Sequence, residues 1–237
     1  MKHSIATILC SAALLCTNVA HATVFGSNLI VNPGAEADLG AGDFSSSVAP
    51  SGWTTTSTFT AIQYAAGGNA ELNPTSSAAL GGGENYFAGG PGNASSTASQ
   101  RIAVGDIAAQ IDAGMVRGAL SAQLGGFGPQ TDSMTVTALF LDGSNAQLGT
   151  LLIGPVTNAD RNNVSTLLSR DTSGAIPVGT RAIEVLMTAT RAPLGSYNDG
   201  YADNLSLTLT AVPEADSAAF IAGGLALASL AVRRRRR

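Results

Sequence analysis

Cysteine, histidine and lysine are missing from most of this 237-residue chain. Cys10, Cys16, His3, His21 and the sole lysine, Lys2, all fall within the first 22 residues, so residues 23–212 contain none of the three. Without imidazole, thiol or primary amine, that body can hold no Cys-His or Ser-His-Asp relay, no Schiff-base lysine and no thiolate or histidine zinc site. No disulfide can staple it either. Its 190 residues must hold together by burying a core, which is an ordinary size for one domain.

Positive charge and aromatic rings are also scarce. The body carries six arginines (101, 117, 161, 170, 181 and 191) against fourteen carboxylates, a formal charge of −8. Nucleic acid is thereby excluded as an expected partner, because phosphate binding needs concentrated cations. Excess carboxylate suits calcium, a hard cation that takes oxygen ligands. It equally suits plain solubility. A glycan-cleaving enzyme needs only two acids. Glu71, Glu84, Glu184 and Asp199 are available, but no spacing singles out a pair and the supporting His, Arg, Trp and Tyr are few. A non-catalytic protein is the expectation.

What is present is most specific at the two ends. Residues 1–22 read as a signal peptide: Lys2 and His3, an apolar stretch from Ile5 to Val19, then Ala20-His21-Ala22 as an A-x-A cleavage site that leaves Thr23 as the mature start. The C-terminus reads Val212-Pro213-Glu214, an apolar run from Ala218 to Val232, and five arginines, Arg233 to Arg237. Fifteen apolar residues rise about 22 Å as a helix, short of a hydrocarbon core of about 30 Å. Each arginine dragged through the bilayer centre costs about 2.5–3.5 kcal/mol, so the expected topology leaves the C-terminus in the cytoplasm and the body outside.

That order of parts resembles the PEP-CTERM sorting tail of Gram-negative bacteria: a Pro-Glu-Pro motif, an apolar helix and an Arg-rich end. Here Ala215 replaces the second proline. The resemblance implies a sorting motif at Val212, Pro213 and Glu214, a transmembrane helix over 217–232 and an Arg-rich end at 233–237. It also implies cleavage by an exosortase-like membrane protease. The protein is then tethered to the inner membrane through its tail and released to the cell surface or an extracellular polysaccharide matrix.

Between the ends, alternation dominates. Met134, Val136, Ala138 and Phe140 share one face against Thr135, Thr137 and Leu139. Val116, Leu120, Ala122 and Leu124 do the same, as do Ile183, Val185 and Met187. In the last strand Tyr201, Asp203, Leu205, Leu207 and Leu209 oppose Ala202, Asn204, Ser206 and Thr208. Period-2 patterns with one apolar face predict antiparallel sheet. Asp142-Gly143 reads as a hairpin; Gly81-Gly82-Gly83, Gly89-Gly90-Pro91-Gly92, Gly125-Gly126 and Asn198-Asp199-Gly200 read as breaks. Only Asp106–Asp112 suggests a helical turn. Eight to ten such strands predict an all-β fold, an antiparallel β-sandwich of the jelly-roll kind, over residues 23–211.

Asn28-Leu29-Ile30-Val31-Asn32-Pro33-Gly34-Ala35-Glu36, followed by Gly52-Trp53, resembles the first strand of galactose-binding-like jelly rolls. Gly200-Tyr201-Ala202-Asp203-Asn204-Leu205-Ser206-Leu207 resembles their last strand. The resemblance implies a fold shared with many carbohydrate-binding modules. It also implies a structural calcium held by an acid at Asp203 with groups from the loop after the first strand, where Glu36 and Asp38 stand. Alternation itself places Asp203 on the core-facing side, where an isolated carboxylate needs a cation or several donors; pairing with an arginine or capping a loop would also serve. Trp53 reads as core. Tyr64, Tyr86 and Tyr197 are candidates for an exposed stacking platform, with Tyr86 and Tyr197 as the ligand-binding choice because they sit in Gly-rich or Asn/Asp-rich loops. The function these readings favour is an exported, glycan-contacting matrix protein; a structural or adhesive protein–protein module and a two-carboxylate glycan-cleaving enzyme are the alternatives.

Overall fold

A computed structural model describes residues 23–68, 71–193 and 195–212. The signal peptide, Pro213, Glu214 and the tail to Arg237 lie outside the described residues. Among those described, no helix is long and apolar enough to cross a membrane.

Ten strands form two five-stranded, wholly antiparallel sheets. One sheet contains β1 (Thr54–Thr55), β4 (Ser95–Ala103), β9 (Ala182–Thr190), β6 (Ser133–Leu141) and β7 (Gln147–Ile153), in that spatial order. The other contains β2 (Thr60–Gln63), β3 (Asn85–Pro91), β10 (Tyr197–Ala211), β5 (Val116–Gly126) and β8 (Thr166–Ala175). The sheets face each other across Val136, Ala138, Phe140, Ile183, Val185, Met187, Leu120, Leu207 and Leu209, which are all buried. Each large apolar side chain in that layer contributes about 1.5–3 kcal/mol by leaving water. Trp53 belongs to this core: its ring meets Phe87 edge-on at 5.6 Å and its indole N–H donates to the Asn32 carbonyl at 3.2 Å.

The period-2 segments became strands because each supplies one continuous apolar face, and the hairpin at Asp142 formed through side-chain chemistry. Asp142 Oδ1 accepts from the Ser144 and Ala146 amides at 2.8 Å, while Asn145 takes the left-handed conformation at φ 70°. The turn at Asp106–Asp112 is also present, as a 3-10 turn (Gly105–Ile107) running into α2 (Ala108–Asp112), with Ile107 and Ile111 buried.

Three expectations need correction. The stretch from Asn28 to Glu36 is not a regular strand; it makes one bridge, Asn28 to Thr208, and then bends. Pro33 has no N–H to give a ladder, Asn32 and Ala35 adopt left-handed φ of 50° and 63°, and the Asn28 side chain bonds β10 at the Leu205 carbonyl and the Leu207 amide. A helix, α1 (Pro74–Leu80), stands where no helix was expected. Its N-cap Asn73 accepts from the amides of Thr75 and Ser76, Pro74 opens it, and Gly81 closes it in the left-handed region. The third correction concerns Asp203. A bulge between Asp203 and Ser206, with Asn204 at φ 51°, reverses the alternation of β10. Leu205, Leu207 and Leu209 face the inter-sheet core, but Tyr201 and Asp203 point to the opposite face.

That opposite face is covered. Residues from the 41–48 segment (Ala41, Phe44, Val48) and from 64–80 (Tyr64, Ala66, Leu72, Leu80) pack over Ile62, Tyr86, Ala88, Leu167, Tyr197 and Tyr201 of the second sheet. A second, smaller apolar layer results, and the titratable groups of interest lie within it.

Candidate functional site

The outer face of the second sheet carries a ladder of phenol rings. Tyr64 and Tyr86 stand 4.8 Å apart between centroids, and Tyr86 and Tyr201 stand 5.1 Å apart, nearly edge-on. A separate pair, Phe44 and Tyr197, meets edge-on at 4.9 Å. All four tyrosines are buried, so Tyr86 (0% exposed) and Tyr197 (9% exposed) do not form the exposed platform expected of them. Their loops are instead strand β3 and the start of β10, roofed by the segments described above.

A carboxylate group sits at each end of the ladder. At one end the structure brings together Glu36 and Asp203. Asp203 is fully buried; its Oδ2 accepts from the Tyr64 hydroxyl and its Oδ1 from the Asn204 amide, both at 2.7 Å. Glu36 accepts from the amides of Glu84 and Asn85, both at 3.0 Å. The Gly-rich loop permits this approach: a Cβ on Gly82 would fall 2.8 Å from Asp203 Oδ2, and one on Gly83 would fall 2.3 Å from Glu36 Cδ. Burial, reinforced by the charge of Glu36, pushes the Asp203 carboxyl up to about 7 against the pull of its two hydrogen bonds. No arginine among the described residues is paired with it. Asp38 serves elsewhere, holding the amide and hydroxyl of Ser51 at 2.6 Å.

Both acids offer hard oxygens of the kind a divalent cation takes, no cationic side chain among the described residues pairs with Asp203, and each of the four carboxylate oxygens already accepts a hydrogen bond. Among the described residues no three or more His, Cys, Asp or Glu side chains gather as a metal-binding group. A calcium ion here would therefore rest on Glu36 and Asp203 and draw its remaining ligands from backbone carbonyls or water.

At the other end stand Glu71 and Asp199, which the sequence offered only among unpaired acids. The Tyr201 hydroxyl donates to Asp199 Oδ1 at 2.5 Å and lies 3.4 Å from Glu71 Oε2. Burial and then the charge of Asp199 push Glu71 up to about 7; burial pushes Asp199 up to about 6, against its bond from Tyr201. The hydroxyls of Tyr86 and Tyr197 are buried and have no hydrogen-bond partner among the described residues. Both phenols are driven upward in pKa by burial, with the charges of Glu71 and Asp199 adding to it. Glu71 and Phe44 are only partly buried and form the side of this group open to solvent.

Arg161 and Asp132 fix the floor. Arg161 is 2% exposed and donates to the carbonyls of Gly126, Gly128 and Val164 through Nη1 and to that of Gln130 through Nη2. Asp132 accepts from the amides of Ala192 and Asp199 at 2.8 Å. Neither residue was singled out by the sequence, which offers no local pattern for them. Of the three expected sorting residues, only Val212 is described: it is 38% exposed at the end of the sandwich, its amide bonded to the Met115 carbonyl at 2.8 Å.

No family model matches the chain, and no curated protein matches it. Solved structures of similar fold include a Stig cyclase, Fisc, from Fischerella sp. TAU, at TM-score 0.51 and 12% identity over 78% of this chain and 98% of the cyclase. A family 16 carbohydrate-binding module is similar at TM-score 0.45 and 19% identity, over 76% of this chain and 99% of the module. The enzymatically active domain of tailspike protein 4 from bacteriophage CBA120 is similar at TM-score 0.45 and 16% identity; 77% of this chain aligns with 21% of that one. At such identities the likeness is one of fold, which does not carry function with it.

Proposed function

We propose that this chain is an exported, tail-sorted, non-catalytic surface or matrix protein whose sandwich contacts extracellular polysaccharide. The observation that carries the glycan reading is the solvent-open side of the acid–tyrosine group, where the half-buried Glu71 carboxyl and the Phe44 ring border the buried Asp199 and Tyr197. A sugar hydroxyl both donates and accepts. It can donate to the Glu71 carboxylate, while the C–H faces of the ring pack on Phe44 and the edge of Tyr197. The export reading is supported by the A-x-A site and the tripartite tail, with an exosortase-like protease and the inner membrane as transient partners. A structural calcium at Glu36 and Asp203 is part of the same proposal; it would supply the counter-charge those acids lack.

Binding is tested by affinity electrophoresis of the secreted protein through gels containing exopolysaccharide. Retardation that is reduced at least tenfold in Tyr197→Ala and Glu71→Gln supports the site. Unretarded migration on every polysaccharide tried, or retardation untouched by both substitutions, rejects it. One observation favours a second reading, the two-carboxylate glycan-cleaving enzyme: Glu71 and Asp199 both reach the hydroxyl of Tyr201 and ionise near neutrality, as an acid and a base must. Release of reducing ends, abolished by Glu71→Gln, decides for that reading.

A further inference from the structure

We propose that Asp106 is the receptor for the amino terminus that processing creates at Thr23, so that removal of residues 1–22 clips the first segment of the body onto the sandwich. The inference rests on the export reading and adds to it a structural consequence of the cut. The Thr23 backbone nitrogen donates to Asp106 Oδ2 at 2.6 Å, and the Thr23 hydroxyl donates to Oδ1 at 2.7 Å. One carboxylate thus grips both donors of one residue, 83 positions away in the chain.

This residue is the one that the A-x-A pattern places immediately after the cut. Hydrolysis of the Ala22–Thr23 bond by a signal peptidase consumes one water, leaving a carboxylate on Ala22 and an amine on Thr23. At neutral pH that amine takes a proton. The nitrogen that already faces Asp106 then becomes an ammonium, and a hydrogen bond from an uncharged amide becomes an ion pair with hydrogen bonds on both carboxylate oxygens. Among the described residues no other charged side chain enters: burial raises the Asp106 pKa, but the hydrogen bonds from Thr23 and from its own turn prevail and hold it below the usual carboxylate value.

The start of the segment is the part such a clip would hold. Between Thr23 and Asn28 one backbone bond ties it to the sheet, Gly26 to Leu209 at 2.8 Å, with Val24 58% exposed; from Asn28 onward the Leu29 amide and the Asn28 side chain bond β10. A cleft of about 270 Å³, lined by Thr23, Val24, Leu29, Ile30 and Ile102 among others, lies beneath it. Apolar packing alone therefore does not seat the segment's start.

The test exploits composition. Once residues 1–22 are gone, no lysine remains, so the α-amine of Thr23 is the only primary amine of the mature chain. The full-length chain is expressed with export, and the recovered protein is mass-mapped and then labelled with an amine-acylating reagent across pH 6–10. The expected result is a start at Thr23 and an amine titrating about one pH unit above its ordinary 7.7–8.0, hence labelled about tenfold more slowly at pH 7.5 in the folded protein than in urea. Asp106→Asn should restore the ordinary rate in the folded state. The folded-versus-urea comparison needs no variant, so it stands even if Asp106→Asn folds poorly. A start at any other residue overturns the proposal together with its export premise. A start at Thr23 with equal labelling folded and unfolded overturns the clip alone.

Discussion

Removing the charge of Asp203 without changing its shape should flatten the pH dependence of stability. The carboxyl is fully buried, its pKa is pushed up to about 7 from 3.8, and it has no cationic partner among the described residues. Its folded-state pKa is raised, so the stability it contributes is complete below the unfolded value near 4. That contribution is lost as pH climbs through about 7. With about 1.4 kcal/mol per pH unit over that window, the loss in metal-free protein is on the order of 4 kcal/mol. For a domain of this size that corresponds to roughly 10 °C in melting temperature. Asp203→Asn keeps an oxygen for the Asn204 amide and turns its NH2 toward the Tyr64 hydroxyl, so both contacts survive. Thermal melts in EDTA at pH 4.5, 6 and 8 should show the parent protein losing stability as pH rises, with the variant markedly flatter and more stable than the parent at pH 8. Added calcium at pH 8 should rescue the parent and leave the variant unmoved. Superimposable pH profiles for the two proteins would refute the reasoning.

Gly83→Ala forces a methyl against the Glu36 carboxylate and should destabilise by about 1–3 kcal/mol, read from denaturant midpoints; an unchanged midpoint means the loop can retreat. Tyr86→Phe removes a buried hydroxyl with no partner among the described residues, so stability should hold or rise by up to about 1 kcal/mol; a destabilised variant would show that the hydroxyl has a partner in solution. Arg161→Met strips four carbonyls of their donor and should cost roughly 3–5 kcal/mol in urea unfolding, whereas a near-neutral result would mean that water replaces the guanidinium.

The sandwich was legible because period-2 burial is a local property: Met134 to Phe140 and Ile183 to Met187 declare their inward faces without reference to the rest of the chain. The pairing of Glu36 with Asp203 followed from resemblance at the two ends of the body, and the structure does bring those residues together. The face that Asp203 occupies was not legible, since one left-handed Asn204 in a bulge inverts an alternation that otherwise reads as continuous. Tyr86 and Tyr197 misled for a related reason. Their glycine and asparagine neighbours look like loops, yet Gly89 and Gly90 permit close backbone approach inside a buried strand. Helix α1 carried a readable signal in Asn73-Pro74 and Gly81, but its seven residues are too few to show a helical period. The meeting of Glu71 with Asp199 depends on a contact 128 positions apart and leaves no mark in local pattern.

The central claim is that the acid–tyrosine group on the outer face of the second sheet receives polysaccharide. Its most direct test is a residue-resolved NMR titration of the secreted protein with that polysaccharide. Shifts centred on Phe44, Glu71 and Tyr197 are predicted. Shifts confined to the sheet built from β1, β4, β9, β6 and β7, or none at saturating ligand, would contradict it.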